Sequence, residues 1–384
     1  MATEVLSPAD TYRELFPVTR SLAYLNHAAA GPVSLRVIEA VNAFLADRAS
    51  RGSEAAADSK SLAERTRAKA ASFIGASSGE IAFMKATPDG LNAVANGIAW
   101  KRGDEVVLPN IEFPANVYPW MNLRDFGVNL KWVNATNGCI SADEVIASLT
   151  DRTRVVAISW VEFHGGYRND LTAIGAECRR RGIYLAVDAI QGLGALRCNV
   201  EDLNVDFLCA ASQKWMLAPH GTAIFYVRRA VLDELRVAFV GMSGVEQDAS
   251  YLKYDLRLRP NASRFEPGYI NQLGIAGLEA SIDLFNEVGV DVVETRALSL
   301  AARIRDGLLE RGFIIYGATE GAGLSAVISF RHPAISATDL LARLAEKRVI
   351  VSEREGHIRV APHFYNTEDE VDLLLDTLPL VAGA

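Results

Sequence analysis

From about residue 80 the chain alternates short apolar, β-branched runs with stretches whose apolar residues recur at helical spacing. The runs are "IAFM" (81–84), "EVVLP" (105–109), "LKWV" (130–133), "VVAISW" (155–160), "YLAVDAI" (184–190), "FLCAAS" (207–212) and "TAIFYV" (222–227). Several are apolar at nearly every position, the pattern of strands buried on both faces. Helical segments such as "SADEVIASL" and "LTAIGAECRRRG" fall between them, the second ending on a glycine stop. Such alternation predicts an α/β large domain over residues 20–265, with a mostly parallel seven-stranded sheet between helices.

After residue 265 the pattern changes. One long helix is expected from "QLGIAGLEASIDLFNEVG" into "VVETRALSLAARIRDGLLERG". Then come "SAVISFR", the helix "SATDLLARLAEKR", the strand "IRVAP" and a last helix from "NTEDEVDLLLDTL", which opens on Asn366 and Thr367 followed by acids. This reads as a smaller α+β domain over 266–384, with residues 1–19 packing on it.

The composition narrows the partners. With 384 residues and a net charge of −8, the chain suits neither a nucleic-acid nor an anionic-membrane partner. No apolar stretch approaches membrane-spanning length, and the first twenty residues lack a secretory pattern, so a cytoplasmic protein is expected. The four cysteines show no CxxC pair, and the six histidines show no HxxxH or HExxH spacing. No metal site is expected.

"CAASQKWMLAPHG" (209–221) places Lys214 just after an apolar strand and just before a tryptophan. A partly desolvated lysine loses pKa and becomes a nucleophilic amine suited to a Schiff base. The alternative is a stem lying along the strand end with its head in water. Ligands of open α/β sheets bind beyond the carboxyl ends of the strands. Asp188 ends one strand there, and Ser212 ends the next. Asp188 could cap the following "AIQGLG", or it could keep a pyridine nitrogen protonated, as pyridoxal phosphate requires to act as an electron sink.

"AVDAIQGLG" followed by "FLCAASQKWMLAPHGTAIFYV" resembles the class V aminotransferase family of fold-type I pyridoxal-phosphate enzymes. That group includes cysteine desulfurases, isopenicillin-epimerase-like proteins and serine–glyoxylate-type transaminases. "YLNHAAAGP" (24–32), "FMKATPDGLNAVA" (83–95), "RFEPGYIN" (264–271) and "IRVAPHFYNTEDEVD" (358–372) follow in family order, so the resemblance spans nearly the whole chain.

The resemblance implies roles residue by residue. Lys214 would carry the cofactor and then move the proton at the substrate's α-carbon. Asp188 would pair with the ring nitrogen, and Gln191 would approach the ring's phenolic oxygen. Ser212, Ala86 and Thr87 would hold the phosphate, the last two at a helix start that favours anions. Phe113 would stack on the ring, unless it is simply core. Arg359 would grip the substrate carboxylate through its planar fork. Asn26 and His27 would line the entrance, His27 with a structural alternative. Glu162 and His164, in "SWVEFHGGYRNDL", would face the substrate or form a turn network.

Two departures narrow the activity. The chain passes from "VSEREG" directly to "HIRVAP", without the mobile cysteine that desulfurases need before the arginine motif. Tyr269 stands where relatives place a threonine that reaches the neighbouring subunit's phosphate. The expectation is a homodimeric pyridoxal-phosphate enzyme acting on a small amino acid, with a keto acid as partner if it is an aminotransferase. A C–S lyase or an epimerase on the same scaffold stays open, as does a non-catalytic cofactor-binding relative. The segment at 241–271, rich in tyrosine and arginine, is expected at the dimer interface.

Overall fold

The computed structural model describes residues 8–246, 250 and 252–381. The first seven residues of the N-terminal segment, residues 247–249 and 251 of the expected interface segment, and residues 382–384 lie outside the described residues.

Apart from the short β1 (Ala23–Tyr24), the first strands build one sheet. They are β2 (Ile81–Met84), β3 (Glu105–Pro109), β4 (Asn129–Val133), β5 (Thr153–Ser159), β6 (Tyr184–Asp188), β7 (Phe207–Ala211) and β8 (Ala223–Val227). Their order is β2-β8-β7-β6-β5-β3-β4, and only β8 runs antiparallel to its neighbours. Every residue of β3, β7 and β8 is buried, so these strands carry no polar alternation. Leu208 and Ile224 pack into one apolar cluster, whereas Phe207 and Phe225 pack into a second. Alternate residues therefore serve opposite faces of a sheet covered on both sides.

The smaller unit adds β9 (Ile314–Tyr316), β10 (Ile328–Arg331), β11 (Val349–Ile350), β12 (Ser352–Arg354) and β13 (His357–Val360). Four of them form an antiparallel sheet in the order β12-β13-β10-β9, while β11 pairs in parallel with β1. No helix among the described residues is long and apolar enough to cross a membrane.

Two features differ from the sequence expectation. The long helix after residue 271 is two, Gln272–Val288 and Val290–Glu310, because Gly289 sits at φ 89°, a left-handed backbone that breaks the helix. The apolar cores also divide later than residue 265. Ile275, Leu278 and Phe285 belong to the core of the large sheet, and the separate small-domain core takes in Ala23 and Leu25 and then residues from Leu300 onward. The reason is that helix Gln272–Val288 packs on the two helices before β2, Leu35–Arg51 and Ala56–Phe73. In the N-terminal segment Phe16 stacks on Tyr365 with ring centroids 3.8 Å apart, and Arg13 pairs with Glu370 at 2.9 Å.

Candidate active site

The cleft is built where β5, β6 and β7 end. Asp188 is the last residue of β6, paired in register with Ser159 of β5 and Cys209 of β7. Lys214 follows three residues after β7, on a turn held by close backbone packing. The Gly31 amide donates to the Gln213 carbonyl at 2.8 Å, and a side chain at Gly31 would meet the Lys214 carbonyl oxygen at 2.2 Å. The glycine of "YLNHAAAGP" is thus the residue that lets the N-terminal segment lie against the lysine's peptide.

Lys214 is partly buried, with its Nζ 5.7 Å from the centre of the Phe113 ring. Burial pushes its pKa down to about 8, helped by the charges of Arg359 and Arg354 and opposed by Asp188. Burial pushes Asp188 up to about 6, against the Ile190 amide that donates to it at 2.9 Å and against the Lys214 charge. In both groups desolvation outweighs the attraction between them. The result at neutral pH is an amine close to losing its proton, beside a carboxylate with room for a cationic partner.

Arg359 projects from β13 and is 2 % exposed. One Nη donates to the Phe163 carbonyl at 2.5 Å, and its buried Nε has no partner. Among the described residues it forms no ion pair. Burial, with the neighbouring Arg354, pushes its pKa down to about 9. A guanidinium keeps its proton, so the deficit is one of counter-charge. A substrate carboxylate would supply the counter-charge that no described side chain gives Arg359.

At the other end, helix Thr87–Gly97 begins at Ala86 with Pro88 in its first turn and no side-chain cap. Pro88 has no amide proton, the Asp89 amide donates to the Ala86 carbonyl at 3.1 Å and the Gly90 amide bonds Cys209, so the Thr87 amide and the positive end of the helix dipole are what this start offers a phosphate. The Thr87 hydroxyl accepts the Ala211 amide at 3.0 Å, tying this helix start to the end of β7. Ser212 differs from expectation. Its hydroxyl faces the carbonyls of Pro219 and Thr222 at 2.9 and 2.8 Å, so its proton serves the turn and not a phosphate.

Two further expected ligands are committed to the scaffold. Gln191 donates to the Ala28 carbonyl at 3.0 Å and accepts from the Trp215 indole at 2.9 Å, which uses both ends of the amide within the protein. His27 bonds the Ala361 carbonyl at 2.8 Å and the Tyr365 hydroxyl at 2.6 Å and is fully buried. It is a structural histidine, not an entrance residue. Asn26 keeps a buried Oδ1 without a partner. Tyr269 is 90 % exposed and lines a groove of about 900 Å³ with Phe239 and Pro267, and the same groove is lined by Lys85 and Asp89, which flank the helix start, and by Thr222.

Glu162 is buried, accepts from Asn169 at 2.8 Å, and leaves its second oxygen unpaired. Glu112, missed in the sequence, accepts the Ser159 hydroxyl at 2.6 Å and the Asn116 amide at 3.0 Å. Burial raises both carboxyls, Glu112 to about 8; the charge of Asp188 adds to both shifts, and that of Glu112 adds to the shift of Glu162. Also missed were Tyr316, Arg354 and His357 on the small-domain wall beside His164. In "VSEREGHIRV" alternation puts His357 and Arg359 on one face, and the turn at Glu355 and Gly356, which pairs Arg354 with His357, brings Arg354 to that face as well.

A desolvated amine and a strand-end carboxylate at the carboxyl edge of a doubly wound sheet, an uncapped helix start on the same sheet, and a guanidinium without an ion pair on the small-domain sheet fit a fold-type I pyridoxal-phosphate enzyme. The Aminotransferase class-V family matches residues 23–374, and the chain belongs to that family, whose members are pyridoxal-phosphate enzymes. The chain is similar to a probable cysteine desulfurase of Methanothermobacter thermautotrophicus, with 30 % identity over 97 % of this chain and 98 % of the relative. It is 28 % identical to the uncharacterized aminotransferase YcbU of Bacillus subtilis, over 96 % and 97 % of the two chains. The apo structure of a cysteine desulfurase from Thermococcus onnurineus NA1 superimposes with a TM-score of 0.88 at 26 % identity, covering 98 % of each chain.

Proposed function

We propose that the protein acts on small α-amino acids and that its reaction is amino transfer. The observation that carries this reading is the pairing of the desolvated Lys214 amine with the uncompensated Arg359 guanidinium across one cleft. Pyridoxal phosphate, when bound, supplies an electron sink for the pair left on the substrate's α-carbon. Lys214 would hold it and, once displaced by the substrate amine, would take the proton from that α-carbon and deliver it to the cofactor's former aldehyde carbon, as amino transfer requires. Asp188 would keep its charge against the ring nitrogen, and the Phe113 ring would exclude water from one face. Arg359 would orient the α-carbon by a bidentate grip on the carboxylate.

C–S cleavage is the second reading, favoured by relatives named as cysteine desulfurases. A thiol that accepts sulfur must be available as thiolate. Here burial raises all four: Cys178 and Cys198 to about 12, Cys209 well above its usual value, and the half-buried Cys139 upward as well. A lyase of this kind would release sulfide directly instead of passing sulfur to its own cysteine. We also infer a homodimer, supported by an exposed apolar band that includes Phe239, Leu252, Tyr254 and Leu256.

Incubation of the cofactor-loaded protein with amino acids, with and without keto acids, tests the reading. Amine transfer that requires a keto acid is expected. Pyruvate with ammonia and sulfide would replace it by the lyase reading, and inverted stereochemistry by an epimerase.

A further inference from the structure

The small-domain wall of the cleft carries more positive charge than an α-carboxylate can use. On β12 and β13, Ser352 faces Arg359 and Arg354 faces His357 in the antiparallel register, so these side chains share one face. That face borders the reactive amine, because the charges of both Arg354 and Arg359 act on Lys214. Arg354 donates to the neighbouring Glu353 carbonyl at 2.6 Å and forms no ion pair among the described residues. The Glu353 carboxylate is occupied elsewhere, accepting the Gly356 amide at 2.9 Å.

Two imidazoles complete the wall. His164 stacks on Tyr316 at 4.3 Å between centroids, and His357 lies 5.1 Å from His164. His164 bonds the Arg354 carbonyl through one nitrogen, while its buried Nε2 has no partner. Glu353 and Glu355 flank Arg354 in the hairpin, and Glu162, whose charge acts on Tyr316, is buried and bonded to Asn169. The Ser329 and Ser352 hydroxyls, both opposite Arg359 across the strands, are also buried without partners.

One carboxylate at Arg359 leaves Arg354 uncompensated. We propose that Arg354, with His164 and His357, forms a second anion subsite, so that the preferred substrate is an amino acid with an acidic side chain. This rests on the amino-acid reading above and names its substrate class. Arg354 and Arg359 are diagonal neighbours across β12 and β13, with backbones roughly 7–8 Å apart. Two long, converging side chains at that spacing can hold both ends of a four- or five-carbon dicarboxylate.

Calorimetry on the cofactor-loaded protein tests this with two unreactive probes, succinate and propionate. Succinate is expected to bind at least about ten-fold more tightly, the scale of one charge-assisted contact. Arg354→Gln should abolish that preference and leave propionate unchanged, Arg354→Lys should keep part of it, and Arg359→Gln should weaken both probes. Equal affinities in the native protein, or a succinate preference that survives Arg354→Gln, would overturn the proposal. Failure of the underlying reading would show separately, as no cofactor fixed on Lys214 by borohydride, whatever these affinities are.

Discussion

Two desolvated groups dominate the chemistry of single residues here, and their titration has opposite signs. Lys214 has a folded pKa of about 8 against 10.5 when exposed, so between those values the unfolded chain binds more protons. Stability of the cofactor-free protein should therefore rise with pH over that window, and below pH 8 the full cost of burying the cation remains. Asp188 lies at about 6 against 3.8, so the folded chain binds more protons between them. Its contribution is present at low pH and lost as pH rises through 6. Urea unfolding of the cofactor-free protein across pH should show both limbs, with Lys214→Met flattening the alkaline one and Asp188→Asn the acidic one. For Arg359→Leu the expected effect is on substrate binding. Removing one partner of a buried charge pair costs about 2–5 kcal/mol, so the Michaelis constant for amino acids should rise at least about ten-fold. The cofactor's absorption band should not move, because Arg359 serves the substrate. Steady-state kinetics and the spectrum of the variant check the two halves.

Elements were legible wherever burial was complete. The seven strands of the large sheet stand in the sequence as apolar runs, and the structure shifts their ends by at most two residues, as at β5 and β6. The motif order located the cleft through Asp188 and Lys214, since strand ends face it in this class of sheet. What stayed hidden were tertiary hydrogen bonds. Nothing local in "AIQGLG" shows that Gln191 is saturated by Ala28 and Trp215, or that Ser212 turns back to Pro219. The short β9, β11 and β12 were also hidden, because two or three residues carry too little periodicity, whereas β1 was expected only through the resemblance of "YLNHAAAGP". "RFEPGYIN" illustrates the same limit. Its Glu266 accepts the Phe83 amide at 2.7 Å and Arg67 at 2.6 and 3.1 Å, binding β2 to the segment before helix Gln272–Val288. Both charges are buried, at 4 % exposure for Arg67 and 7 % for Glu266. Arg67→Ala should then destabilise the protein by about 3–5 kcal/mol, because it strands a buried carboxylate. Chemical denaturation measures this, and a loss below about 1 kcal/mol would show the pair to be solvent-relaxed.

At the scale of the whole molecule, one chain leaves an apolar surface open and one expected contact unmade. Phe239, Leu252, Tyr254, Leu256 and Tyr269 are each more than two-thirds exposed, a band that a soluble monomer rarely carries. Sedimentation at low protein concentration should report a dimer, and Tyr254→Glu with Leu256→Glu should shift it toward monomer. If Tyr269 reaches the neighbour's phosphate site, cofactor retention should weaken in the same variant; a fully loaded, active monomer would remove the dimer from the account. The central claim, however, is that Lys214 carries pyridoxal phosphate at the junction of the two domains. Borohydride reduction of the loaded protein followed by peptide mapping tests it most directly. The expected result is one phosphopyridoxyl adduct on the peptide containing Lys214, absent in Lys214→Ala. An adduct on another lysine, or none in a protein that binds the cofactor, would contradict it.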